Sequence, residues 1–282
     1  MNVAAQIVTE DLRRWIAAQT KAGCRSEDLL DAMRASGWEE AVARAAVKQA
    51  LREHAADPAH RPVTAGVPGP DLDGAPTMLR PGGREVRVLA TLLRPRVVVF
   101  GGLLSDDECS GLMALAAPRL ARSETVDNAT GGSEVNDART SDGMFFERGE
   151  APLITAIEQR IATLLRWPVE NGEGLQILRY RPGAEYRPHH DYFDPEHPGT
   201  ARILARGGQR VGTLVMYLNT PEGGGATTFP DVGLEVAPVR GNAVFFSYDR
   251  AHPDTRTLHG GAPVTAGEKW VATKWLRQGV FE

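Results

Sequence analysis

Cysteine is scarce in this sequence of 282 residues, which contains only Cys24 and Cys109. Two cysteines cannot form the disulfide framework of a small secreted domain, and these two lack the spacing of a cysteine-rich zinc site. We therefore expect a protein of the reducing cytoplasm, in which both cysteines serve as small apolar side chains.

Long hydrophobic runs and basic runs are absent as well. No stretch of about 18 uncharged apolar residues occurs, and the N-terminal segment lacks the basic and apolar regions of a signal peptide. These absences predict a protein with no membrane span and no secretion signal. The formal net charge is -4, and the lysines and arginines form no basic stripe. We therefore expect neither nucleic acid nor an anionic membrane as a partner.

The chain is predicted to have three parts. Apolar residues recur at helical spacing within residues 1–56, which predicts a small domain of three short helices. This domain either packs or dimerises without a further role, or it binds a partner. Residues 57–83 are rich in proline and glycine, which prevent regular backbone pairing, and they are predicted to form a linker. Residues 84–282 then form the main domain.

The main domain is predicted to be mainly β with flanking helices. Two apolar helical segments, near residues 109–120 and 151–166, are followed by many short strand-like runs separated by Gly, Pro, Asn and Asp. This order favours a two-sheet jelly roll or barrel with helices on one face. Two polar segments rich in turn-forming residues, 123–140 and 194–209, are candidate lids.

A metal site is predicted from the placement of two histidines and one aspartate. In the segment YRPHHDYF, extended backbone would place His189 and Asp191 on one face, with His190 on the other. This pattern also occurs on polar surface strands, so it requires a third ligand. His259 can supply it, because the two glycines after it allow another backbone to approach closely. Two histidines and one carboxylate form the facial triad of non-haem Fe(II) oxygenases, although zinc also accepts this donor set. His252 is the alternative third ligand.

Lys269 narrows the choice of metal. It lies ten positions after His259, at the start of the strand-like run KWVATKWLR. A cation on a barrel-lining strand can bind the far carboxylate of a 2-oxo acid whose other end chelates the metal. Lys269 and Trp275 are an even number of residues apart, so a regular strand places them on one face. The alternative is a solvent-exposed lysine, because a buried lysine without an anionic partner is costly.

From about Arg96 to its end, the chain resembles the prolyl 4-hydroxylase family of 2-oxoglutarate/Fe(II)-dependent dioxygenases. Five segments that stand in the order of that family are VVVFGGLLSDDECSGLMALA, ARTSDGMFF, EGLQILRYRPGAEYRPHHDYF, RVGTLVMYLNTPEGGGATTFPDVG and TLHGGAPVTAGEKWVATKWLR. The resemblance covers about two thirds of the chain. It implies a double-stranded β-helix (jelly roll) oxygenase core within residues 84–282, next to the small N-terminal helical domain.

The resemblance also implies roles for individual residues. His189, Asp191 and His259 would be the iron ligands and the catalytic centre. The residues that match the 2-oxoglutarate pocket of the family are Tyr180, Thr227, Lys269 and Trp275. The residues that match positions facing the substrate groove are Arg139, Glu173 and Tyr186.

The activity implied is hydroxylation of an amino-acid side chain, in the first place a prolyl residue of a peptide or protein. Fe(II) would be the cofactor, with 2-oxoglutarate and O2 as co-substrates and ascorbate as the reductant. One alternative is a hydroxylase of a free amino acid or another small molecule. Another is a non-enzymatic jelly-roll binding module stabilised by a metal. The sequence leaves a homodimer through the N-terminal helices open.

Overall fold

In the computed structural model, the chain divides into two compact units, Met1–Thr64 and Ala65–Glu282. The structure describes residues 8–21, 26–56, 66–123, 125–126, 130, 132–134 and 138–282. Within these ranges, no helix is both long and apolar enough to cross a membrane. Cys24 lies outside the described residues, and Cys109 is fully buried.

The first unit contains the three predicted helices, α1 Glu10–Lys21, α2 Ser26–Ala35 and α3 Glu40–Ala56. Each helix carries apolar residues at steps of three or four, so that one face is apolar. The apolar faces meet in a small core made of Ile16, Leu29, Met33, Ala43, Ala46 and Val47. The three helices lie in the segments in which the sequence predicts them.

The proline-rich segment differs from its prediction as a linker. Residues 57–65 lie outside the described residues, but residues 66–83 belong to the second unit. Pro68, Gly69 and Pro70 are buried, and the Gly69 N–H donates a hydrogen bond to the Leu165 carbonyl at 2.8 Å. Proline removes only its own backbone donor, so the other backbone groups of the segment can still pair with the main domain. The structure thus places the boundary after residue 64 rather than at residue 84.

The second unit is built mainly of short strands. Its strands are β1 Met78–Leu79, β2 Val86–Leu92, β3 Arg96–Gly101, β4 Ala121–Arg122, β5 Thr125–Val126, β6 Ser133–Glu134, β7 Asp142–Phe146, β8 Leu175–Tyr180, β9 Tyr186–His189, β10 Arg210–Tyr217, β11 Gly223–Gly224, β12 Thr227–Phe229, β13 Leu234–Val236, β14 Ala243–Ser247, β15 His259–Gly261, β16 Val264–Ala266 and β17 Lys269–Arg277. Its α-helices are α4 Asp106–Ala116, α5 Pro152–Leu165 and α6 Thr200–Leu204. Short 3-10 helices cover Pro81–Gly83, Ala117–Arg119, Val169–Asn171, Pro230–Val232 and Pro253–Thr255.

Two sheets organise these strands. The large sheet has the order β1-β2-β3-β14-β10-β17-β8-β7-β4, and the small sheet has the order β13-β12-β15-β9. Both sheets contribute to one apolar cluster, for example Phe229 from the small sheet and Phe246 from the large one, whose rings lie 5.2 Å apart. The two-sheet, mainly β architecture with flanking helices agrees with the predicted jelly roll.

A second core lies on the other face of the large sheet, under α4 and α5. Along β14, Ala243 and Phe245 point to the helices, whereas Val244 and Phe246 point between the sheets. This alternation follows from the two-residue period of a strand. Because both faces of the large sheet are covered, every residue of β17 is buried. A polar side chain on β17 therefore needs a partner on one face or the other.

The predicted helices begin and end close to their expected positions. At the start of α4, the Ser105 hydroxyl accepts the Glu108 N–H at 3.1 Å, and the Glu108 carboxylate accepts the Ser105 N–H at 2.8 Å. This reciprocal capping box satisfies two of the backbone donors that a helix start leaves free. The structure contains one further helix, α6, within the segment 194–209, for which the sequence predicts a loop.

Candidate active site

The candidate site is an open cavity between the two sheets, with about 440 Å³ of space when the part that is open to solvent is included. Its wall includes alternate residues of β17, which share the face that points away from the helices. The residues that line it are Arg139, Leu178, Tyr180, Tyr186, His189, Asp191, Thr213, Val215, Thr227, His259, Gly260, Gly261, Lys269, Val271, Thr273 and Trp275. Of the predicted site residues, Glu173 is the one that does not line this cavity.

Strand pairing in the small sheet brings the two candidate histidines together. β9 and β15 are antiparallel, and His189 lies directly opposite His259 in their register. The strand β9 ends at His189, so Asp191 follows the strand rather than belonging to it. The predicted shared face therefore comes from the turn after β9, and not from a continuous strand. Gly260 allows this pairing, because an added Cβ there would lie 2.9 Å from the Tyr186 carbonyl.

The three side chains form one compact group of metal donors. The Nε2 atom of His189 lies 3.5 Å from one carboxylate oxygen of Asp191, and the Nε2 atom of His259 lies 3.4 Å from the other. One ligand atom from each residue can be chosen such that all lie within 4.8 Å of one another. A metal held by these three donors keeps positions open for other ligands.

The hydrogen bonds of both imidazoles suit metal binding. The Nδ1 atoms lie 2.9 Å from backbone carbonyls, that of His189 from Arg187 and that of His259 from Thr257. A carbonyl can only accept, so each Nδ1 carries the proton and each Nε2 presents its lone pair. The rings are held by packing, with Tyr186 stacked on His189 at 3.6 Å.

The protonation states of the group fit a metal as well. Burial and the neighbouring His259 lower the pKa of His189 to about 4, so its imidazole is neutral at neutral pH. Burial alone would raise the pKa of Asp191, but the two imidazoles outweigh it and hold that pKa well below its usual range. A neutral imidazole and an ionised carboxylate are the forms that bind a metal ion. The donor set present therefore fits Fe(II).

Lys269 supplies a positive charge inside the cavity. It is 4% exposed, and its Nζ lies 5.4 Å from the centre of the Tyr180 ring. No hydrogen bond or ion pair joins this Nζ to another residue in the described part of the chain. Burial lowers the pKa of Lys269 to about 8. Gly261 leaves the space beside it open, since an added Cβ would lie 3.7 Å from Nζ.

Neutral hydrogen-bond donors accompany this lysine. The Tyr217 hydroxyl donates to Thr227 Oγ1 at 2.8 Å, which leaves the Thr227 proton available to the cavity. The Trp275 Nε1 is buried and has no acceptor among the described residues. Buried donors without acceptors are rare in proteins, so they indicate a missing anionic or carbonyl partner. Lys269 and Thr227 suit the far carboxylate of 2-oxoglutarate, whereas Trp275 lies six residues further along β17 and faces another part of the cavity.

Two of the three predicted substrate residues line the cavity. Arg139 is buried, donates from Nη2 to Gln176 Oε1 at 2.7 Å and lies 4.9 Å from the centre of the Tyr186 ring. Burial raises the pKa of Tyr186 to about 12, so its phenol stays protonated. Both residues therefore lie where a substrate could reach them.

Glu173 requires a correction. Its carboxylate is buried and accepts from Arg210 at 2.6 and 2.9 Å and from Arg277 at 2.7 Å. Burial opposes ionisation, but the two guanidinium groups outweigh it and lower the pKa of Glu173. Both oxygens of this carboxylate are bound by arginines, and Glu173 is not among the residues that line the cavity. Glu173 therefore supports Arg210, whose guanidinium lies 4.0 Å from the centre of the Trp275 ring.

Several residues that support the site were not predicted from the sequence. The Thr213 hydroxyl donates to Asp191 Oδ2 at 2.7 Å, and the Tyr248 hydroxyl lies 3.2 Å from Thr213 Oγ1. Both residues belong to apolar strand-like runs, RVGTLVMYLN and NAVFFSY, in which a lone hydroxyl carries no motif. The only available signal was the position of Thr213, two residues before the inward-facing Val215.

The alternative ligand His252 lies elsewhere. It is exposed and caps the 3-10 helix Pro253–Thr255, where its Nδ1 accepts the Asp254 N–H at 3.2 Å.

In the candidate lid 194–209, the side-chain amide of Gln209 accepts the backbone N–H of Phe193 and donates to the Phe193 carbonyl. The other candidate lid, 123–140, is described only in part. The lid role of both segments stays a prediction.

Comparisons with known proteins agree with this site. Residues 175–277 match the 2OG-Fe(II) oxygenase superfamily. Prolyl 4-hydroxylase 2 of Arabidopsis thaliana is 41% identical over 212 residues, which cover 67% of this chain and 69% of that protein. Prolyl 4-hydroxylase 1 of the same plant is 45% identical over 202 residues, which cover 65% of this chain and 69% of that protein.

A solved structure with a similar chain is the viral collagen prolyl hydroxylase from Paramecium Bursaria Chlorella virus-1, in its 2OG complex. It is 31% identical with a TM-score of 0.49, over 64% of this chain and 95% of that one. The family that the sequence motifs resemble is confirmed by the identity to the plant proteins, which extends over more than two thirds of their length. The chain therefore belongs to the prolyl 4-hydroxylase family of 2-oxoglutarate/Fe(II)-dependent oxygenases.

Proposed function

We propose that this protein hydroxylates a prolyl residue of a peptide or protein, with Fe(II) held by His189, Asp191 and His259. The observation that carries the proposal is the meeting of this donor group with the buried Lys269 in one cavity. A metal with a structural role does not need open positions, and it does not need a buried cation without an anionic partner. A 2-oxo acid that binds between the metal and the lysine needs both.

The side chains of the cavity would bind 2-oxoglutarate and orient it toward the metal. Lys269, with Tyr180 and Thr227, would bind the far carboxylate of 2-oxoglutarate and so aim its 2-oxo acid end at the donor group. Trp275 would donate its Nε1–H to an acceptor group of a ligand in the cavity. Oxidative decarboxylation of 2-oxoglutarate by O2, coupled to hydroxylation of a substrate C–H bond, is the chemistry that Fe(II) supplies at such a centre.

The walls of the cavity would exclude water and place the substrate. Leu178, Val215 and Val271 line the cavity with apolar surface, so water is kept from the reacting groups. Arg139 and Tyr186 lie on the same wall and would hold the substrate backbone or ring by hydrogen bonding and packing.

Two observations support a peptide as the substrate. The plant relatives are named prolyl 4-hydroxylases. In addition, Phe145 of β7 is 50% exposed and its ring lies 6.4 Å from that of Trp275, which lines the cavity. An exposed aromatic ring beside a cavity offers a surface for the residues on either side of a reacting proline. A free amino acid would leave this surface unused.

The reductant and the location belong to the proposal too. We propose ascorbate as the reductant that restores Fe(II) after an uncoupled turnover, and the cytoplasm as the location. These two statements rest on the family resemblance and on the low number of cysteines.

The test is an assay of succinate formation from 2-oxoglutarate, with Fe(II), ascorbate and O2. It is run without substrate, with proline-rich peptides, with free proline and with a panel of other free amino acids. Succinate should rise only with the peptides, and mass spectrometry should find 16 Da added to a prolyl residue.

Two variants sharpen the assay. His259→Ala should abolish the peptide-dependent succinate, whereas His252→Ala should leave it unchanged, since that histidine is exposed and outside the donor group. Stimulation by a free amino acid alone would establish the small-molecule alternative. Tight metal binding without any succinate would favour the non-enzymatic binding module.

A further inference from the structure

We infer that Thr213 and Tyr248 are positioning residues that hold the Asp191 carboxylate in the orientation in which it binds the metal. The inference rests on the proposed metal centre and extends it to two residues of the large sheet. Both residues act through Asp191, which belongs to the donor group with His189 and His259.

The contact with the carboxylate is short and buried. Thr213 is fully buried, and its hydroxyl lies 2.7 Å from Asp191 Oδ2. Charge-assisted hydrogen bonds of this length are among the stronger ones in proteins. Thr213 also lines the cavity, so this bond lies at the metal site itself.

Proton counting gives the chain of hydrogen bonds one direction. The ionised Asp191 carboxylate can only accept, so the single Thr213 proton points to Oδ2. Thr213 Oγ1 must then accept from the Tyr248 hydroxyl, which lies 3.2 Å away. Tyr248 is 1% exposed, and burial raises its pKa, so it keeps the proton that it donates. Each bond in such a chain polarises the next.

This arrangement distinguishes the two oxygens of the carboxylate. Each oxygen faces one imidazole, Oδ1 that of His189 at 3.5 Å and Oδ2 that of His259 at 3.4 Å, but the Thr213 proton goes to Oδ2. A carboxylate with one oxygen held by a donor cannot rotate freely about its Cβ–Cγ bond. Thr213 therefore favours metal binding through one oxygen, and it removes orientations that Asp191 would otherwise sample in the metal-free protein.

The need for such support follows from where Asp191 lies. The aspartate follows the end of β9, so no strand pairing fixes its side chain. Thr213 belongs to β10, which is paired on both sides, with β14 and β17, and Tyr248 directly follows β14. The small sheet thus brings Asp191 near the two histidines, and the centre of the large sheet orients its carboxylate. Arg210 assists, with Nη1 at 3.5 Å from the Asp191 carbonyl.

The test measures metal binding and its spectrum rather than turnover. The 282-residue chain is titrated anaerobically with Co(II). The visible absorption band, which reports coordination geometry, is recorded together with the dissociation constant. Thr213→Val keeps the shape of the side chain and removes the hydroxyl. We expect it to weaken Co(II) binding by about 10- to 100-fold and to change the band.

Three further variants make the result specific. Thr213→Ser retains the donor and should restore both affinity and spectrum. Tyr248→Phe removes the distal donor and should weaken binding by about twofold to tenfold, with a spectral change in the same direction. Thr163→Val, at an exposed position of α5, should behave as the parent protein does. Melting temperatures show whether each variant is folded.

The outcomes separate this inference from the proposed centre. Parent-like affinity and spectrum in Thr213→Val would overturn the positioning role while leaving the metal centre intact. A parent protein that binds no Co(II) would overturn the centre and the inference together. If Thr213→Val does not fold, Tyr248→Phe decides: a weakened, altered Co(II) site supports the inference, and an unchanged one overturns it.

Discussion

Lys269 of β17 lies directly opposite Tyr180 of β8, and its ammonium nitrogen lies 5.4 Å from the centre of the tyrosine ring. An aromatic face partly compensates a buried cation, but less well than a carboxylate does. The protein therefore keeps a charge inside a cavity that lacks its counter-ion among the described residues. Each of the first three predictions below follows from this relationship.

Replacing Lys269 should weaken the binding of 2-oxoglutarate. Loss of a hydrogen bond to a charged group costs about 1.5–3 kcal/mol, so Lys269→Ala should raise the dissociation constant by about 10- to 150-fold. Isothermal titration of the Mn(II)-loaded protein measures this change. Lys269→Arg, which keeps the charge, should recover part of the affinity. Lys48→Ala, at an exposed lysine of α3, is the matched control. Equal affinity in Lys269→Ala and the parent would refute the role of Lys269.

The affinity for 2-oxoglutarate should fall as the solution becomes alkaline. The pKa of Lys269 is lowered to about 8 by burial, so its charge is present below that pH and is lost above it. Binding above pH 8 must then take up one proton, and the dissociation constant should rise by about tenfold per pH unit. Calorimetry in two buffers of different ionisation enthalpy measures the uptake. Lys269→Arg should remove the dependence between pH 8 and 9.5, and a flat profile in the parent would contradict the prediction.

Lys269→Met should stabilise the protein when no ligand is present. The pKa of Lys269 falls from an ordinary value of 10.5 to about 8, so below pH 8 the buried charge opposes folding. This cost is about 3 kcal/mol at pH 7, and it disappears as pH rises from 8 towards 10.5. Urea unfolding at pH 7 and pH 10 should show the gain only at pH 7. A less stable variant at pH 7 would mean that Lys269 has a partner that stabilises it.

Glu173→Gln should lower stability rather than change the substrate preference. The substitution leaves Arg210 and Arg277 buried with one neutral acceptor between them, and breaking a buried ion pair costs about 3–5 kcal/mol. Thermal unfolding measures the loss. Glu170→Gln, at an exposed carboxylate three residues before Glu173, is the control. If the Glu173→Gln protein is fully stable but has a raised KM for peptide, Glu173 contacts the substrate after all.

The sequence by itself determined the elements of the fold and the donors of the site. Helical and strand periodicities predicted α1 to α5, the strands of the small sheet and six of the nine strands of the large sheet, because the apolar spacing within each segment reports which face is buried. The strands β1, β4 and β7 of the large sheet were not predicted. His189, Asp191, His259 and Lys269 were recognisable from their spacing and their motifs. Such residues are visible in a sequence because their chemistry depends on the residue type itself.

Only the tertiary structure decided which polar groups satisfy one another. Glu173 matches a substrate position in the sequence, yet two arginines far along the chain occupy its carboxylate. Thr213 carries no motif, yet it donates to Asp191 across 22 residues of chain. A hydrogen bond needs atoms within about 3 Å, and sequence spacing cannot give that distance between strands that pair only after folding. The register of β8, β9, β10, β15 and β17 sets these contacts, and with them the cavity in which the predicted residues meet.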